Sequence, residues 1–183
     1  MQAYRLQTLS DCSLAIGRYP PFQYDARGGG AVGGCPDGLD GPIRFPPEAL
    51  AIPPLSTRTT RWLGLPLPPG LTITIEPALL EGEFNSRSGS LTLQFQARFQ
   101  FQAAGLRRPA PLWIDARLST GPAAVRVGQS RWGAQEGSPL DADGAALLVG
   151  VADVQPSGTA WLDRFLGLPD QALARLRLRL ELP

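Results

Sequence analysis

With 183 residues the chain can bury a core without a disulfide or a metal, and one domain spanning residues 1–183 is the natural reading. All 17 basic residues are arginine and histidine is absent, which excludes Schiff-base lysines, histidine general bases and any Ser-His-Asp or Cys-His device. The net charge of +1, with acids and bases mixed along the chain, argues against nucleic acid as a partner.

The chain opens with an alternating stretch, Tyr4, Leu6 and Thr8 against Arg5, Gln7 and Leu9, which predicts a strand. A second short strand is expected over residues 13–19. From about 20 to 60 the periodicity dissolves into glycine runs and paired prolines. That stretch reads as a long irregular excursion with one short strand near residues 43–45. Within it, RGGGAVGG lacks the lysine and the strand–loop–helix setting of a phosphate loop.

Order returns after LGLPLPPG. Residues 71–76 and 79–84 predict two strands, with Pro77 as a break or bulge between them. The second forms a hairpin with the most regular segment of the chain, SLTLQFQARFQFQA, over residues 90–103. Its odd-numbered side chains are apolar and its even-numbered ones are glutamine, arginine and threonine. The odd positions are therefore expected to face a dry interior. Residues 112–120 alternate again, with Trp113, Asp115 and Arg117 on the polar side. Strands are further expected over residues 123–132 and 145–154, the latter covered on both faces. The spacing of Trp161, Leu162, Phe165 and Leu166 predicts a short helix with Ser157 or Thr159 as cap. A further helical turn is expected over residues 171–173. The last residues return to period two, with Leu176, Leu178 and Leu180 on one side and Arg175, Arg177 and Arg179 on the other.

The expected class is mainly β: an antiparallel barrel or two-sheet sandwich of eight to ten strands with one or two short C-terminal helices. Two polar surfaces stand out as candidate binding sites. One combines Gln94, Gln96 and Arg98 with Trp113, Asp115 and Arg117, which share a surface if their strands pair. The other is the stripe of Arg175, Arg177 and Arg179, whose guanidinium groups suit phosphates or carboxylates. Glu76, Glu81 and Glu83 are the carboxylates available to a hydrolase. Catalytic, metal and cofactor sites are not expected. The two cysteines, Cys12 and Cys35, have no zinc spacing and form one bridge only if the fold brings them together.

Three segments, SDCSLAIGRYPPFQYDARGGG, EGEFNSRSGSLTLQFQARFQF, and LLVGVADV followed by WLDRFLGLPDQALARLRLRLEL, resemble a conserved family of small cyanobacterial and chloroplast proteins. The resemblance implies a photosynthetic organism and a cytoplasmic setting, on the stromal side if the protein is thylakoid-associated. It supplies no active-site residues.

The residues point to a non-catalytic binding protein, foremost a protein-interaction or assembly module. The alternative is a barrel carrying a small apolar ligand, with Leu91, Phe95, Phe99 and Phe101 lining its cavity. A carboxylate-dependent hydrolase comes third. The opening residues lack a basic start followed by an apolar run, so no secretory signal is expected. No transmembrane segment is expected either, which leaves peripheral membrane contact open.

Overall fold

Period-two alternation builds most of the wall. The computed structural model describes residues 2–121 and 135–182. In chain order the strands begin with β1 (Gln2–Thr8), β2 (Cys12–Ile16), β3 (Phe22–Tyr24), β4 (Gly30–Cys35), β5 (Gly41–Arg44), β6 (Thr60–Trp62) and β7 (Leu65–Pro66). They continue with β8 (Leu71–Asn85), β9 (Ser90–Ala103), β10 (Leu112–Ser119), β11 (Ala145–Val154) and β12 (Asp170–Glu181). One α-helix, α1 (Ala160–Leu166), lies between β11 and β12. The strand expected at residues 123–132 lies outside the described residues.

Eight of these strands close a ring in the order β1–β4–β5–β8–β9–β10–β11–β12, and β12 pairs back onto β1. Every pairing is antiparallel, so the architecture is a barrel and not a sandwich. β2, β3, β6 and β7 extend the sheet from the same edge of β12 that carries β1. The described residues therefore hold a sheet of twelve strands, more than the sequence pattern suggests.

The stretch read as irregular between residues 20 and 60 supplies β3, β4 and β5. β4 escapes pattern reading because its sequence is GAVGGC. Its glycines sit where a side chain has no room. A Cβ on Gly33 would lie 2.1 Å from the Arg44 carbonyl oxygen, and one on Gly34 would lie 2.4 Å from that of Gln2. Close backbone approach, not side-chain burial, selects this strand's residues.

The two strands expected at 71–76 and 79–84 are one strand of 15 residues. Its register against β9 slips by one between Pro77 and Leu79. Ile73 and Ile75 face inward before this bulge, and Leu80 and Phe84 face inward after it, so the extra residue switches the phase of alternation. In β9 the expected division holds. Leu91, Leu93, Ala97, Phe99 and Phe101 are buried and Phe95 is half-buried, while Arg98 and Gln102 are exposed. Gln100 is the exception. It is buried, and its amide donates to the carbonyl of Pro109 at 2.8 Å.

The helical turn expected at residues 171–173 is strand. Gln171, Ala172 and Leu173 pair with Asp153, Ala152 and Val151 of β11, and Ala172 and Leu173 also pair with Ile16 and Ala15 of β2. Hydrogen bonding on both edges overrides a weak local preference. α1 is the one C-terminal helix among the described residues. It buries Leu162 and Leu166 against the barrel and ends at Gly167 in the left-handed conformation.

Candidate ligand cavity and outer polar face

β1 and β2 are two halves of one interrupted path along β12. Thr8 pairs with Leu178 and Ser13 pairs with Arg175, while the Leu9 amide still donates to the Arg177 carbonyl at 2.9 Å. The interruption includes Asp11, a non-glycine residue at φ 59°. Beyond it the outer partners part: β1 takes β4, whereas β2 takes β3. The wall opens where β3 and β4 diverge.

A strap around residues 50–55 crosses this opening. Gly30 and Ala51 exchange backbone hydrogen bonds of 2.9 and 2.8 Å, and Leu55 and Ile73 exchange two of 2.9 Å. The Tyr24 hydroxyl donates to the Pro53 carbonyl. Burial raises the Tyr24 phenol well above its ordinary pKa, so it remains a donor at any physiological pH.

Beneath the strap lies a cavity of about 110 Å³. Leu50, Ile52 and Leu55 form its roof. Leu93, Phe95 and Phe99 of β9 and Ile75 and Leu80 of β8 form one wall, and Leu6, Leu14, Ala174 and Leu176 form the other. The lining is almost wholly apolar. Of the four residues that the alternation suggested as lining, Phe95 and Phe99 do line the cavity. Leu91 and Phe101 are buried in the core outside it. The strap residues carry no periodic signal, so a sequence pattern cannot assign them a roof.

Cys12 also lines the cavity, and its thiol donates to the Leu9 carbonyl at 3.4 Å. Burial pushes the Cys12 thiol up and outweighs the lowering from the Arg177 backbone amide and charge. Cys35 is likewise raised by burial, and both cysteines are free. Neither thiol is poised as a nucleophile.

The outer polar face forms as the pattern requires. Arg98 stands opposite Trp113, Gln96 opposite Asp115, and Gln94 opposite Arg117. The Asp115 carboxylate accepts hydrogen bonds from both Gln94 and Gln96, the latter at 2.9 Å. Asp115 thus ties the two glutamines together. Trp113 remains 46% exposed beside Arg98.

The arginine stripe on β12 is separate from this face. β11 stands between β10 and β12 and presents Leu147, Val149 and Val151, which pack with Ala15 and Leu173 into a second apolar cluster. Arg175 donates to Gln135 at 3.1 Å and Arg177 pairs with Asp11 at 3.1 Å, whereas the buried Arg179 Nε lies 3.7 Å from the Glu181 carboxylate, too far for a hydrogen bond. Glu81 lies 3.5 Å from Arg44, and the outward positions of Glu76 and Glu83 leave both exposed.

No family model, no curated protein and no solved structure matches this chain.

Proposed function

We propose that the barrel is a non-catalytic binder of a small apolar ligand, or of the apolar end of a larger one. The observation that carries this is the partly open pocket of about 110 Å³ under the strap, lined by aliphatic and phenyl groups. Its opening to solvent gives a ligand a way in, and an apolar space of about 150 Å³ is enough for a benzene ring. The space therefore suits a branched alkyl or single-ring group. A larger ligand would extend past the strap, at the gap between β3 and β4.

Native mass spectrometry of protein taken from its own host tests the proposal. A non-covalently held apolar molecule is expected, and Ala174→Leu should remove it by filling its space. Xenon provides a ligand-independent check, because it should shift the methyl resonances of Leu93, Leu118 and Leu176. Protein that arrives empty and takes up no xenon would refute the proposal.

A protein-docking role is the second reading, and the exposed Trp113 beside Arg98 favours it. An exposed indole on a charged strand face is a common anchor at interfaces. Trp113→Ala should then release a partner that co-purifies from native extract. A protein that elutes alone at every salt concentration would count against this role.

A further inference from the structure

We propose that the barrel end bearing α1 docks on the surface of an anionic lipid bilayer. The antiparallel registers bring several connections to this end: β2–β3, β6–β7, β7–β8, β9–β10 and the α1 crossover. They touch one another. The Ala110 amide donates to the Thr159 hydroxyl at 3.0 Å, and the Ala104 amide donates to the Gly70 carbonyl at 3.0 Å. The Tyr19 ring lies 4.8 Å from Phe165 and 6.0 Å from Trp62.

Large apolar side chains project from three of these connections. Leu63 is 66% exposed and Leu65 is 69% exposed on the β6–β7 hairpin. Leu106 on the β9–β10 turn and Phe165 on α1 are each more than half exposed. Four of the eight large exposed hydrophobic residues described thus gather at one end. Leu63 is held at φ 53° and Gly64 at φ 79°. These left-handed conformations suit a two-residue hairpin turn, in which asparagine and glycine are the usual occupants. Here a leucine occupies a conformation that disfavours it and points its side chain outward. Folding does not require that choice.

The charge at this end matches the partner. Arg18, Arg107, Arg108 and Arg164 are exposed here, and none makes an ion pair or side-chain hydrogen bond among the described residues. The acids at this end are engaged. Asp163 accepts from the Ser157 amide and hydroxyl and from the Gly158 amide; Asp153 and Asp170 each accept from Gln171. Arginines around separate apolar tips fit a bilayer better than a protein surface. Headgroups take the charges at the interface, and acyl chains accommodate tips that do not form one flat patch. The outer wall of the barrel carries exposed Glu76, Arg98, Asp115 and Arg117, so the protein would rest on the bilayer by its end. This proposal is independent of the cavity.

Vesicle co-sedimentation of the full chain tests it. Phosphatidylcholine vesicles containing one third phosphatidylglycerol should bind the protein, and neutral phosphatidylcholine vesicles should bind it much less. Arg107→Glu with Arg108→Glu should weaken partition by about twentyfold or more. Leu63→Asn with Leu65→Ser should weaken it about tenfold or more. The asparagine suits the turn, so the melting temperature of this variant should not fall, which separates lost docking from lost folding. Absence of binding to anionic vesicles would overturn the proposal, as would undiminished binding by the Leu63→Asn, Leu65→Ser variant. Binding to polyglutamate with no binding to vesicles would overturn it in favour of an acidic protein partner.

Discussion

Ala174→Leu puts the cavity to a quantitative test. Ala174 sits on β12 between Leu14 of β2 and Gly150 of β11, and it lines the void. Leucine adds three carbons at this position. Their burial returns about 2.4 kcal/mol at about 0.8 kcal/mol per group. Restricting the leucine rotamers takes back about 0.5–1 kcal/mol. A net gain of about 1.5 kcal/mol follows, which in a chain of this size raises Tm by about 3–6 °C. Urea titration and thermal melting of the ligand-free protein measure both quantities. In an interior with no void beside Ala174, the same change overpacks the core and costs about 1–3 kcal/mol. The two cases differ in sign, so a lowered Tm would refute the reasoning.

Other substitutions probe the frame around the cavity. Thr120→Val keeps the shape but removes the buried hydroxyl that accepts the Leu91 amide at 3.0 Å. It should cost about 1–3 kcal/mol by urea unfolding, and an unchanged midpoint would show that the bond contributes nothing. Gly33→Ala drives a Cβ to within 2.1 Å of the Arg44 carbonyl oxygen. It should destabilise by about 1–3 kcal/mol, whereas Gly105→Ala, with nothing described within 4 Å of the added Cβ, should cost about 1 kcal/mol through its left-handed backbone at φ 79° alone. Hydrogen bonds from the Arg27 side chain and amide hold the exposed Asp25 carboxyl below the ordinary carboxylate range. Its contribution to stability is therefore complete above about pH 4 and is lost as pH falls through the depressed value. Arg27→Ala removes the side-chain bonds but keeps the residue-27 amide as a donor, so the Asp25 titration, followed by NMR, should move up toward the ordinary position without reaching it; no movement would refute the assignment.

Some of this protein was legible in the sequence because its physical cause is local. Alternation in SLTLQFQARFQFQA requires a strand with one dry face, and that segment forms β9 with its phenylalanines inward. The same periodicity located β10 and the final leucines, a nearly continuous apolar run located β11, and the helical spacing of Trp161, Leu162, Phe165 and Leu166 located α1. Trp113, Asp115 and Arg117 share a face with Gln94, Gln96 and Arg98 because adjacent alternating strands leave no other arrangement once paired. What remained illegible depends on distant partners. β4 is a strand because its glycines let the backbone approach β1 and β5, a constraint with no periodic trace. Residues 171–173 are strand because both edges find partners, which local preference cannot anticipate. The cavity exists because β3 and β4 part and a strap tied at Ala51 and Leu55 bridges them. Side-chain periodicity reports which way a residue points, and only the closed barrel decides which inward residues meet a neighbour and which meet empty space.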